Sequence, residues 1–346
     1  MKIGLPVILR YPVQGPVLVL LWLTGMSLHM QEVFGEEYLT QLQNRHQLTG
    51  HTGEVYKVAF VPGSKNLLVS VGYKDNTVRL WDIGKREQLD MIEYDSRCSW
   101  PRDFVFTPDG KKVYVLHNCG SINAYPVDKD RFGERERFWG ESIGSHGSLA
   151  INRKGTFFAS ASQTRPVTVT NIEKYREYHP YLGTEDYHAV EFSASESIFA
   201  ATDSGNTLAF WDFLAQEGFG KKQTYEIRDI APTIGTWALA FSKDGRQLAS
   251  GHVDGIVTLW EVDGIQAEQK RSFILPESAF TPVFNPSGTL LAASSQDGSV
   301  YLWDTQTGKQ VKSYTGDAGS LLSLDIHPDG TKIVAGSLEG PLVLWE

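Results

Sequence analysis

From about residue 45 onward the chain is a succession of short apolar runs separated by turn signals. Between Gly50 and Asp82 three such runs follow one another, Val55 to Phe60, Leu67 to Val71 and Thr77 to Trp81, with Pro62-Gly63-Ser64 and Asp75-Asn76 between them. Five or six apolar-rich residues bounded by turn formers read as strands, and a short Asp-Asn reversal joins its neighbours as a hairpin. The stretch therefore predicts three consecutive antiparallel strands, with a fourth just beyond.

The pattern then recurs. Trp81-Asp82, Trp211-Asp212, Trp260-Glu261, Trp303-Asp304 and Trp345-Glu346 each close a third run, the last three Trp lying 43 and 42 residues apart. The 130 residues from Trp81 to Trp211 leave room for two further units without that dipeptide. One is Phe104 to Phe106, Val113 to Leu116 and Ile122 to Tyr125; the other is Leu149 to Ile151, Phe157 to Ala161 and Val167 to Thr170. A fixed period of this length marks a stacked or ring-forming repeat.

First turns carry Pro, then Asp or Ser, then Gly, at Thr107-Pro108-Asp109-Gly110, Asn285-Pro286-Ser287-Gly288 and His327-Pro328-Asp329-Gly330. Pro presets the backbone angle there and Gly tolerates the exit conformation. Second turns are Asp-Gly at 254–255 and 297–298. Fourth strands are predicted near 87–93, 136–140, 175–181, 221–227, 269–275 and 310–315. The seventh unit has three strands, while Arg45-His46-Gln47-Leu48-Thr49 stands ahead of Gly50 without a unit. Pairing that segment with the last unit would close a ring and cover its open edge.

Gly50-His51 through Trp81-Asp82, together with the later Trp-Asp and Trp-Glu units, resembles the WD40 repeat family over residues 44 to 346. The resemblance implies an all-β, seven-bladed β-propeller of four-stranded antiparallel blades, its ring closed by an N-terminal strand. It also implies that first strands line a central channel, and that second turns and the connections into blades crowd one face, the top. In the family a buried hydrogen-bonded set joins blade elements; here it would be His51, Ser70, Asp75 and Trp81, with a structural role. Unit five offers Ser250, Asp254 and Trp260 without a Gly-His ahead of its first strand, and unit six has Ala293 where the Ser is expected.

Residues 1–35 form a separate leader, and residues 36–346 the propeller. Lys2 and Arg10 precede Val17 to Leu23, and Gly25 and Ser27 follow as small residues. That order fits a secretory signal cleaved after Ser27; a retained membrane anchor is the second reading, and an inconsequential start the third. The protein is accordingly exported or membrane-tethered, or else cytoplasmic, with membrane contact only through a retained leader. The formal net charge of -9 argues against nucleic acid, whose phosphates need a basic surface.

No catalytic constellation stands out. The His residues, His51, His117, His146, His188, His252 and His327 among them, fall in different units without metal-ligand spacing, so no metal and no cofactor is expected. Cys98 and Cys119, the two cysteines, fall on the top side of one blade in the implied fold; a disulfide and two free thiols are both open.

Aligning each unit on the residue closing its first strand (Phe60, Phe106, Ile151, Phe192, Phe241, Phe284 and Ile326) places Tyr56, Arg102, Gly147, His188, Trp237, Phe280 and Leu322 four positions earlier. The resemblance puts this position at the top rim. Aromatic residues and Arg anchor protein interfaces because they bury much area for few lost rotamers. Tyr56, Trp100, Arg102, His188, Trp237 and Phe280 are therefore the candidate partner-binding residues of a non-enzymatic scaffold that takes a protein or peptide on its top face. The alternative is an exported propeller enzyme or small-ligand binder with its site in the channel.

Overall fold

A computed structural model describes residues 38–94, 100–139, 147–162, 167–174, 176–178, 187–194, 198–203, 207–214, 218–227 and 235–346. The leader, Cys98 and most of the two long connections 177–188 and 228–236 lie outside the described residues. Among the described residues no helix is long and apolar enough to cross a membrane.

The strands form seven sheets of four antiparallel strands, paired first to second to third to fourth. Blade 1 is Val55–Phe60, Leu67–Gly72, Thr77–Asp82 and Glu87–Glu93. Every first strand ends on the aligned residue, from Phe60 in blade 1 to Ile326 in blade 7. Blade 7 consists of Leu321–Ile326, Ile333–Ser337, Leu342–Trp345 and, as its outermost strand, Arg45–Leu48. Arg45 stands opposite Trp345 and Leu48 opposite Leu342, so the ring is closed by the N-terminal strand.

The fourth strands of blades 4 and 5 run longer than the sequence pattern suggests, Gly218–Glu226 and Gln266–Ile274. Their third strands continue past Trp211 and Trp260, with a register shift in each hairpin. In blade 4 the extension delivers Phe213, which is buried against Phe157 and Tyr178 of blade 3 at centroid distances of 5.0 and 5.7 Å.

The apolar interior is divided among the blade interfaces. Among the described residues seven buried clusters occur, each shared between two neighbouring blades. A blade is thus covered on both faces, which explains why second strands are buried almost without alternation while the fourth strand of blade 1 is largely exposed. Small residues such as Ala159, Ala200, Ala249, Ala292 and Ala335 keep these sheets at packing distance.

The segment leading into the closing strand is also fastened. Leu39 is fully buried beside blades 6 and 7. The Tyr314 hydroxyl, on the outer strand of blade 6, donates to the Leu39 carbonyl at 2.8 Å and accepts the Leu42 amide at 3.1 Å. Arg45 adds an ion pair to Asp317 at 2.5 Å.

Candidate functional site

Blade 1 holds the polar set as one chain of hydrogen bonds. The Trp81 indole donates to Ser70 Oγ at 2.8 Å, Ser70 Oγ lies 2.7 Å from His51 Nε2, and His51 Nδ1 lies 2.7 Å from Asp75 Oδ2. The chain is self-consistent with a neutral imidazole carrying its proton on Nδ1. Burial lowers the His51 pKa against the pull of Asp75. Burial alone would raise Asp75, yet hydrogen bonds from His51, Thr77 and the Thr52 amide hold it at about 2. Gly72 leaves the room, because a Cβ there would run into both the Asp75 carboxylate and the His51 ring. These groups are interior, and their geometry serves the blade.

Blade 5 makes the same connection with a different residue. His252, on the second strand, sits 2.9 Å from Thr236 Oγ1 and 3.0 Å from Ser250 Oγ, and Trp260 donates to Ser250 at 3.4 Å. Burial holds this imidazole neutral, with a pKa of about 4. The sequence pattern misses the substitution, because His252 arrives from the strand rather than from a Gly-His ahead of the blade.

The channel mouth is built by a repeated backbone irregularity. In six blades the register slips near the start of the first strand, between Val55/Lys57, Pro101/Asp103, Tyr187/Ala189, Thr236/Ala238, Ala279/Pro282 and Leu321/Ser323. The residues left over by these bulges are Tyr56, Arg102, His188, Trp237, Phe280 with Thr281, and Leu322. A bulge re-aims the extra side chain, and here all of them line one cavity of about 590 Å³, joined by Gly147 of blade 3. Trp237 is 51% exposed. Trp100 does not line the cavity; it stands on the rim, 41% exposed, with its edge on Tyr73 at 5.1 Å.

Tyr73 ties the blade 1 side of the rim together. Its ring stacks on Tyr56 at 4.7 Å, and the Arg102 guanidinium lies 5.1 Å from the Tyr56 centroid and 5.7 Å from that of Tyr73. The result is a contiguous aromatic and cationic platform from Tyr56 to Trp100. Tyr73 escapes the strand alignment because it sits in a second turn; an aromatic residue amid turn formers is the signal that finds it. Leu338, 42% exposed in the corresponding turn of blade 7, also reaches the cavity. Cys119 lies with its Sγ 3.3 Å from Ser121 Oγ; its pairing with Cys98 falls outside the described residues.

Below the mouth, polar side chains stitch neighbouring first strands. Asp103 accepts the Leu149 amide at 2.7 Å and pairs with Lys57. Asp325 accepts the Phe60 amide at 2.8 Å, Ser323 donates to the Val55 carbonyl at 3.2 Å, and Thr281 donates to the Leu322 carbonyl at 3.1 Å. Glu191 and Asp325 face the same cavity, and burial pushes both carboxyls up to about 7 despite the Lys57 charge. Among the described residues no group of three or more His, Cys, Asp or Glu is placed to hold a metal ion.

Comparison with known proteins follows the same geometry. The WD40 model, described as WD domain, G-beta repeat, matches residues 42–82, 231–261, 278–304 and 308–345, which correspond to the closing strand with blade 1 and to blades 5, 6 and 7. A guanine nucleotide-binding protein subunit beta of Nicotiana tabacum is 23% identical over 324 residues, covering 86% of this chain and 82% of the relative. THO complex subunit 3 of Arabidopsis thaliana is 22% identical, covering 76% of this chain and 80% of that protein. Transcription initiation factor TFIID subunit 5 of Caenorhabditis elegans is 26% identical, covering 66% of this chain and 34% of that protein. With four matched repeats set in a ring of seven four-stranded blades, this chain belongs to the WD40 repeat family.

Proposed function

We propose that the protein is a non-enzymatic scaffold that binds a protein or peptide partner on the top face of the propeller. The observation that carries this reading is the convergence of the bulge residues on one mouth, with Tyr56, Arg102, His188, Trp237 and Phe280 around it. Trp100 extends the surface outward over Tyr73. Large rings that stay exposed on a rigid frame supply contact area at small entropic cost. The relatives' names support the same role, since each is called a subunit, a description that fits proteins held in assemblies.

The test compares co-purification from the native organism with wild type, with the pair Trp100→Ala and Arg102→Ala, and with Asp130→Ala. Asp130 lies in the exposed turn between Asp128 and Arg131 at the opposite end of blade 2. The rim pair should lose the partner while the Asp130 variant retains it and all three keep the same melting temperature. Equal recovery with the rim pair would refute the top-face reading.

A further inference from the structure

Deep in the channel two carboxylates, Glu191 and Asp325, form no ion pair among the described residues. Glu191 lies three residues further along its strand than His188, about 10 Å below the mouth at a strand rise of about 3.3 Å per residue. Asp325 takes the matching position in blade 7, each being the next-to-last residue of its first strand. Asp325 accepts main-chain amides, from Phe60 at 2.8 Å and Ile326 at 2.9 Å, and Glu191 accepts the amide of Phe192.

The other charged groups facing this space are already engaged. Lys57 is bound to Asp103, Glu54 pairs with Lys74 at 2.7 Å, and Arg102 lies against Tyr56 and Tyr73. His188 also lines the cavity, and the first strands of blades 3, 5 and 6 contribute apolar side chains, Ser148 and Thr281. Both carboxylates are partly withdrawn from water, and holding a charge there without a counter-charge is costly, which agrees with the upward pull on each, to about 7. The cavity above them is open to the mouth and large enough for a side chain.

We infer that the channel receives a basic side chain, arginine or lysine, from the partner that docks on the rim, and pairs it with Glu191. This rests on the rim being the docking face. The aliphatic stem would pass Tyr56, Trp237 and Phe280, whose rings suit both the methylenes and the charge. The head group would bring the charge and further N–H donors to the Glu191 carboxylate.

The probe is a random heptapeptide display library selected on the full chain. The best binder is then synthesised and remade with norleucine in place of its basic residue. Selection should enrich Arg or Lys at one position, and the norleucine peptide should bind at least ten-fold more weakly. Glu191→Gln should cost a similar factor, and combining that variant with the norleucine peptide should cost little more than either change alone. Trp237→Ala should also weaken binding.

Peptides that need Trp237 but ignore both their basic residue and Glu191→Gln would overturn the channel inference and leave the rim reading standing. Peptides indifferent to Trp237→Ala, or no enrichment at all, would overturn both. Glu191→Gln keeps the side chain's shape and removes a partly desolvated, unpaired charge, so its melting temperature at pH 8 should equal or exceed that of wild type. A clear fall together with lost binding would assign Glu191 to the scaffold and overturn the inference.

Discussion

Replacing Asp75 by Asn isolates the charge in the blade 1 hydrogen-bond chain while keeping its shape. A folded-state pKa of about 2 against the ordinary 3.8 corresponds to about 2 kcal/mol of stability at neutral pH. The side chain is only 6% exposed, so little of this is lost to solvent screening. Because the folded pKa is depressed, the contribution is complete above the unfolded value and disappears as the pH falls through the folded one. Denaturant unfolding followed by tryptophan fluorescence should therefore show Asp75→Asn less stable than wild type by about 2 kcal/mol at pH 7, with roughly half that gap at pH 3. His51 works in the same direction, since burial lowers its pKa and acid favours the unfolded chain. A gap below about 0.5 kcal/mol at pH 7, or one that stays constant down to pH 3, would refute the claim that a charged acceptor holds this chain of bonds.

Two further outcomes follow from groups that fasten the ring. Tyr314→Phe removes the hydroxyl shared by Leu39 and Leu42; it should cost about 1–3 kcal/mol and speed hydrogen exchange selectively across residues 39–48, as read by mass spectrometry. His252→Ala leaves Thr236 and Ser250 without their ring partner and opens a cavity, for a loss of about 2–4 kcal/mol in the same unfolding assay. The wild-type His252 contribution is complete above an ordinary histidine pKa of 6.5 and falls away as the pH drops toward about 4, so the deficit of the variant should shrink over that window.

What could be read from the sequence was what local chemistry decides. Turn residues mark where strands reverse, so the end of every first strand, the three-strand last unit and its borrowed partner were all legible. Aligning the units also brought the six bulge positions into one column, although nothing in the alignment reveals the bulges that turn them toward the channel. Contacts between blades were not legible. Lys57 meets Asp103 across 46 residues, a separation that the stacking of consecutive blades makes short, and Asp325 meets the Phe60 amide across 265 residues, a separation that only ring closure makes short. Glu191 reads as an ordinary alternating polar residue until the ring encloses it. His252 and Tyr314 are similar cases, a strand residue and an outer-strand residue whose partners are supplied by other segments.

Closing the last blade with Arg45–Leu48 also imposes an order of events during synthesis. The strand emerges from the ribosome early, but its partner Leu342–Trp345 follows about 300 residues later. At about 5–20 residues per second that interval lasts on the order of 15–60 s. Throughout it the first-made segment has a free edge and Leu39 has no pocket, while blade 1 can already form from its own four strands. The ring is therefore sealed by its oldest and youngest residues together. A nascent chain must keep that early edge from pairing elsewhere until the final strand arrives.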